Sequence, residues 1–258
     1  MDKIVVFIFG AIIGSFLNVC IYRLPKNQSI ILPPSHCPNC KRNILWYDNI
    51  PILSYLILSS RCRFCGAKIP FRYFLVEVLT ASLILATFMG FGMTAKSFAY
   101  SVLVCGLVIA TFVDFEMSEI PDQVSIGGLI LGLVLSYIIP STFNQGVRWH
   151  ALLDSFIGAV AGGAAIYMMG FLGELAFKKE AMGGGDVKFM AMIGSFLGLK
   201  LTMLTFFAAP IFGGIVGILL KLKDGREVIP YGPYISLAAL VAIFFGDNIL
   251  RTLFYGLY

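Results

Sequence analysis

Phe98-Ala-Tyr-Ser-Val-Leu-Val-Cys-Gly-Leu-Val-Ile-Ala-Thr-Phe-Val-Asp114, continued by Phe115-Glu-Met-Ser-Glu-Ile-Pro-Asp122, is the stretch that decides the fold. Its first part is an apolar run long enough for a helix to cross a bilayer, which takes about 17–25 residues. The run stops at a carboxylate, and Glu116, Glu119 and Asp122 crowd in behind Asp114. An ionisable group in or beside a membrane span is costly, so it marks a functional site by default.

Outward from this stretch the same apolar pattern recurs. Candidate spans lie at 4–21, 73–92, 98–114, 123–140, 151–177, 187–199, 201–220 and 231–250; the sixth is short, with its join to the seventh placed at Lys200. Of 258 residues, 59% are hydrophobic and 13% charged. A soluble domain carries about 25% charged residues, so this chain is expected to be an all-α polytopic membrane protein of about eight transmembrane helices. The apolar N-terminus has one early lysine and no small-residue cleavage site, so it is read as a retained helix rather than a signal peptide. Three parts are expected: a first transmembrane helix at 1–22, an insertion at 23–72, and a helical bundle at 73–258.

The net charge of +5 is assigned to membrane orientation rather than nucleic acid. With the N-terminus outside, Arg23, Lys26, Lys41, Arg42, Arg61, Arg63, Lys68, Arg72, Lys178, Lys179, Lys188, Lys221, Lys223 and Arg226 fall inside. Only Lys3, Lys96, Arg148, Lys200 and Arg251 fall outside. A split of 14 to 5 matches the positive-inside rule. The insertion and the loops at 115–122, 178–186 and 221–230 are then cytoplasmic. Gly-x-x-x-Gly pairs occur at Gly10/Gly14, Gly128/Gly132, Gly158/Gly162, Gly194/Gly198 and Gly213/Gly217. Such pairs let helix backbones approach closely. Packing within one bundle is the expected use; a homodimer seam is the alternative. The segments Ala11–Leu17 and Ala191–Leu197 look alike (AIIGSFL and AMIGSFL), a match that shared packing demands can produce.

Cys37-Pro-Asn-Cys40 and Cys62-Arg-Phe-Cys65 form C-x2-C-x21-C-x2-C. Each C-x-x-C turn offers two thiolates from one knuckle, and two knuckles complete the four tetrahedral corners zinc requires. Two disulfides or a redox pair are the alternatives; a reducing cytosol weakens the disulfide case. A site filled by four cysteines is closed, hence structural, and an insertion this small needs its metal to fold. Cys20 and Cys105 lie in apolar spans and are read as packing residues.

The second isolated carboxylate, Asp186, follows Gly183-Gly184-Gly185 and opens a span. The glycines permit close approach of a substrate backbone. In the orientation above, Asp114 and Asp186 both lie at the cytoplasmic ends of their helices. Two carboxyls in one partly dry site share a proton: one activates water while the other polarises a peptide carbonyl. The bland alternative is that they cap helices or pair with Lys188. Glu116, Glu119 and Asp122 offer negative charge to a basic substrate segment. Glu77, Asp154 and Glu174 are read as partners of helix ends or polar neighbours. No H-E-x-x-H metalloprotease pattern, no serine–histidine pair and no G-x-G-x-x-G phosphate loop is present.

These residues resemble the bacterial type IV prepilin leader peptidases, membrane aspartic proteases of the G-x-G-D class. The likeness runs through seven blocks. The first is Gly14-Ser-Phe-Leu-Asn-Val-Cys-Ile-Tyr-Arg-Leu-Pro25, then the four cysteines, then Trp46-Tyr-Asp-Asn-Ile-Pro-Ile-Leu-Ser-Tyr55. Next come Phe71-Arg-Tyr-Phe-Leu-Val-Glu-Val-Leu-Thr80, the aspartate blocks 114–122 and 182–188, and Ile229-Pro-Tyr-Gly-Pro-Tyr234. Phe74 stands where proline is common in the family. The resemblance implies that Asp114 and Asp186 are catalytic and that Cys37, Cys40, Cys62 and Cys65 hold zinc. It implies an inner-membrane enzyme, with its active site facing the cytoplasm, that cuts prepilins and pilin-like precursors. It also implies methylation of the new N-terminal amine with S-adenosylmethionine, although no Rossmann-type signature shows a binding site for that donor. A proton-coupled transporter using the same acids as relays, or a scaffold that binds a partner through its zinc knuckles, are the rival classes. A transporter would place its acids nearer mid-bilayer.

Overall fold

The computed structural model describes residues 3–143, 145–178, 182–224 and 230–255; Lys179, Arg226 and Ile229 lie outside the described residues. Its helices are α1 (Lys3–Arg23), α2 (Leu53–Ile57), α3 (Phe71–Phe91), α4 (Ala95–Met117), α5 (Asp122–Ile138), α6 (Arg148–Phe177), α7 (Gly184–Asp224) and α8 (Gly232–Tyr255). No strand occurs among the described residues. Among the described residues six helices are long and apolar enough to cross a membrane, and α5 is a shorter apolar helix. The chain divides into two compact units, Met1–Gly92 and Met93–Tyr258.

In the first unit α1 packs against α3 through glycine. A Cβ on Gly10 would lie 2.8 Å from the Ala81 Cα, and one on Gly14 would lie 2.8 Å from the Glu77 Cα. Only a residue without a side chain allows helix backbones this close. The amide of Asn18 on α1 donates to the Tyr73 carbonyl of α3 (3.0 Å), tying the same pair. The insertion between them is built of turns, two short 3-10 helices and α2. Arg23, buried at the end of α1, donates to the carbonyls of Ser29 (2.9 Å) and Pro33 (2.7 Å). Glu77, also buried, accepts the N–H of Ile52 at 2.7 Å. Ile52 has φ +65°, a backbone state that is strained for a β-branched residue and needs such a clamp.

In the second unit the local signals that start and stop helices are plain. Thr94 caps α4 by accepting the Ser97 N–H (3.2 Å). Ser118, left-handed at φ +53°, closes α4 and returns its N–H to the Asp114 carbonyl (2.9 Å). Pro121 then opens α5. The start of α7 is the centre of the unit. Phe189, Met190, Met192 and Ile193 are fully buried there. Gly106 of α4 and Gly128 of α5 face the Met192 side chain, Gly132 of α5 faces Ser195 and Phe196, and Gly158 of α6 abuts Gly194 and Gly198. The glycine pairs at 128/132 and 158/162 are thus used within the chain.

α7 is not one straight rod. Gly198 sits at φ +70°, ψ +177°, a non-helical conformation open to glycine. A Cβ on Gly162 would lie 2.8 Å from both the Met190 carbonyl and the Thr202 side chain. Twelve residues of continuous helix would separate those two by about 18 Å. The chain therefore folds back at Gly198, two residues earlier than the Lys200 join expected from hydropathy. The returning leg, 199–224, carries Gly213 to the rings of Tyr231 and Tyr234, beside the start of α8.

Candidate active site and cysteine cluster

One end of the second unit gathers three helix termini. Asp114 lies in the last turn of α4, and Asp186 in the first turn of α7. Gly232 opens α8 and donates its backbone N–H to Oδ2 of Asp114 at 2.8 Å. Asp114 is only 5% exposed, so this bond satisfies a carboxyl that has little access to water. Ile120 holds the three ends in register. A Cβ on Gly185 would lie 3.6 Å from the Ile120 nitrogen, and one on Gly232 would lie 3.3 Å from the Ile120 Cδ1. Asp114 and Asp186 are near enough to interact electrostatically. The N-terminus of α7 also presents its dipole to Asp186, whose N–H closes a turn onto the Gly183 carbonyl (3.1 Å). Two half-dry carboxyls in mutual range fit the sharing of one proton.

Gly232 also has no room for a side chain. A Cβ there would lie 2.7 Å from Oδ2 of Asp114. Neither this residue nor Tyr231, beside it, was assigned a role from sequence, although both lie in the 229–234 block. Lys188, a possible partner for Asp186 on sequence grounds, instead pairs with Asp122 through contacts of 2.7 and 2.9 Å.

The four cysteine sulfurs of the first unit lie within 4.8 Å of one another. Their two knuckles repeat one hydrogen-bond pattern. Cys37 N–H donates to Arg42 (3.0 Å), as Cys62 does to Ala67 (2.8 Å). Lys41 N–H returns to Cys37 (2.9 Å), as Gly66 does to Cys62 (2.9 Å). Lys41 and Gly66, at matching positions, are both left-handed. The Cys37 and Cys65 sulfurs are 3.8 Å apart. Tetrahedral zinc with bonds of about 2.3 Å separates its sulfurs by about 3.8 Å, so the donor set fits that metal. The backbone N–H of Ala67, helped by the Asn39 amide, pulls the Cys65 thiol down to about 6, while at Cys40 the pull of the Arg42 N–H is outweighed by desolvation and the neighbouring thiols, which push it up to about 11. Arg63, inside the second knuckle, grips Asp48 with two bonds of 2.7 and 2.6 Å and holds its carboxyl below the usual range.

Comparison with known proteins gives the chain its family. Residues 8–91 match the bacterial peptidase A24 N-terminal domain, and residues 101–218 match the type IV leader peptidase family. A Pseudomonas putida protein is 32% identical over 94% of this chain and 90% of its own length. This chain belongs to the type IV leader peptidase family. Two more relatives in the family are a Bacillus subtilis protein, 33% identical over 95% of both chains, and a Myxococcus xanthus protein, 38% identical over 85% of this chain. The present chain spans 63% of the Myxococcus relative's length. All three are named prepilin leader peptidase/N-methyltransferase. No solved structure matches the chain.

Around Asp114 and Asp186, the other sequence candidates are spread along the rim. Glu116, Glu119 and Asp122 are exposed, as are Gly183 and Gly184, while Gly185 is half-buried against Ile120. Asp154 accepts from Gln145 (2.8 Å) and Glu77 from Ile52, the structural partnerships expected of them.

Proposed function

We propose that this chain is a membrane aspartic endopeptidase that removes the basic leader from type IV prepilins and pilin-like precursors, with Asp114 and Asp186 as its catalytic pair. The observation that carries this reading is the meeting of buried Asp114 with Asp186 where α4 ends and α7 and α8 begin. The ionised aspartate takes a proton from water as the oxygen attacks the scissile carbonyl carbon. The protonated aspartate hydrogen-bonds and then protonates the carbonyl oxygen as its π pair moves there. Collapse of the tetrahedral intermediate breaks the C–N bond: the departing nitrogen takes a proton from the first aspartate, and the hydroxyl that becomes the new carbonyl returns its proton to the second. Gly232 N–H holds Asp114 in place throughout.

The 14 to 5 split of basic residues supports eight crossings with this end of the bundle facing the cytoplasm of an inner-membrane protein. A precursor's apolar helix then stays in the bilayer while its basic leader reaches Glu116 and Glu119 at the rim. Zinc is held by Cys37, Cys40, Cys62 and Cys65 and braces the insertion at 23–72. The enzyme also N-methylates the new terminal residue, with S-adenosylmethionine supplying an activated methyl group. The 23–72 part serves metal binding and the 73–258 part serves cleavage.

The test is purified protein in lipid with a prepilin. Release of the leader, followed by one added methyl group on the mature N-terminus by mass spectrometry, is the expected result. An intact precursor after long incubation would exclude the peptidase reading.

A further inference from the structure

Tyr231 faces the same site with a hydroxyl that the fold leaves unspent. Its oxygen is buried and has no hydrogen-bond partner among the described residues. Leaving a buried hydroxyl unpaired costs on the order of 1–3 kcal/mol, so such a group is kept where something else uses it. The residue is well fixed. Its carbonyl accepts the N–H groups of Tyr234 (3.0 Å) and Ile235 (3.2 Å), anchoring it to the first turn of α8. Its ring edge lies 3.5 Å from a Cβ position on Gly213, on the returning leg of α7. Next in the chain, Gly232 binds Asp114 and touches Ile120, and Ile120 also touches Gly185, the neighbour of Asp186. Tyr231 and Asp186 interact electrostatically. The dipeptide Tyr231-Gly232 therefore stands beside both carboxyls, Gly232 bonded to Asp114 and, through Ile120, next to Gly185, with the Tyr231 hydroxyl within electrostatic range of Asp186.

We propose that Tyr231 is a further catalytic residue, whose hydroxyl donates a hydrogen bond to the scissile carbonyl oxygen as negative charge builds there, before the protonated aspartate transfers its proton to that oxygen. This rests on the two-aspartate reading above. The chemistry needs a donor that keeps its proton. Burial, and after it the charge of Asp186, raise the phenol's pKa above its ordinary value, so it remains protonated at neutral pH. No proton leaves Tyr231 during the step. The hydrogen bond strengthens as charge builds on the oxygen and weakens when the C–N bond breaks. A preorganised donor in a site with little water is among the strongest contributors to catalysis of acyl transfer.

The experiment compares Tyr231→Phe with the parent enzyme on a prepilin peptide, with Asp114→Asn and Asp186→Asn in parallel. Phenylalanine keeps the ring against Gly213 and removes only the donor. The expected result is a kcat lower by about 10²-fold with KM within about twofold. A second protein carries 3-fluorotyrosine at 231, which retains the hydroxyl, and should keep most of the parent kcat. A Tyr231→Phe kcat close to the parent's would overturn the proposal. So would a raised KM at unchanged kcat, or a fluorotyrosine enzyme as impaired as Tyr231→Phe. If the aspartate variants still cleave, the two-aspartate reading fails and the tyrosine's role goes with it. If they are dead while Tyr231→Phe is normal, only the tyrosine assignment fails.

Discussion

A single hydrogen bond fixes the Asp114 carboxyl where α4 ends and α8 begins. Gly232 N–H reaches Asp114 because glycine leaves 2.7 Å, less than a carbon–oxygen contact, between a Cβ position and the carboxyl. Gly232→Ala should push that carboxyl aside and lower the cleavage rate by about 10–100-fold, since misplacing a catalytic group by an ångström has that cost. Melting temperature measured on the same sample should change little; a large drop would mean the site was lost with the fold. Asp114→Asn and Asp186→Asn should each reduce cleavage by about 10²–10⁴-fold, because asparagine keeps the shape but cannot exchange a proton. Near-normal kcat in either variant removes that residue from the pair. At this scale the placement of the two aspartates at helix ends was legible, because an acid at the edge of an apolar run stands out. The contact of Gly232 with Asp114 was not, because it spans more than a hundred residues of sequence, which no local spacing encodes. Asp122 is a mixed case: it lies on the rim as expected, but Lys188 already engages it.

Among the elements, the reversal inside α7 has the sharpest sequence dependence. Gly198 has φ +70°, and a Cβ on it would lie 3.0 Å from the Phe143 ring. Gly198→Ala should therefore destabilise the protein by about 1–3 kcal/mol, seen as earlier thermal unfolding in detergent. Gly194→Val should do so as well, because a side chain there meets the backbone of Gly158 and Ala159. Unchanged melting in both variants would show that the close approach of α6 and α7 is not needed. The likeness of AIIGSFL and AMIGSFL has its explanation here. Gly14 and Gly194 each admit a facing helix backbone, the first against α3 and the second against α6, so the shared letters answer a shared steric demand. Hydropathy revealed the two legs of α7 but misplaced their join. Lys200 looked like the break because it is charged, whereas the turn depends on backbone freedom, and glycine two residues earlier supplies it.

For the whole molecule, the cysteine cluster and the carboxyl site belong to different compact units, so they should fail separately. Cys37→Ser or Cys62→Ser should lower bound zinc from one per chain and unfold the insertion, since structural zinc supplies on the order of 10–16 kcal/mol. Leader cleavage should survive better than methylation; full metal content in these variants would refute the ligand set, and normal methylation with the metal gone would refute the coupling. Reporters fused after Lys41 and at Arg148 should read as cytoplasmic and external; a cytoplasmic reading at both would break the eight-crossing topology. The leg of α7 that carries Asp186, 184–197, has a further consequence. As fourteen helical residues it is about 21 Å long, against a hydrocarbon layer of about 30 Å. A lipid bilayer must thin around this leg or leave Asp186 beneath its surface. Acyl-chain length then becomes a control on proteolysis. In vesicles of increasing lipid chain length, the turnover of a fixed precursor should fall as the membrane thickens, while the hydrolysis of a short detergent-soluble leader peptide stays constant in micelles.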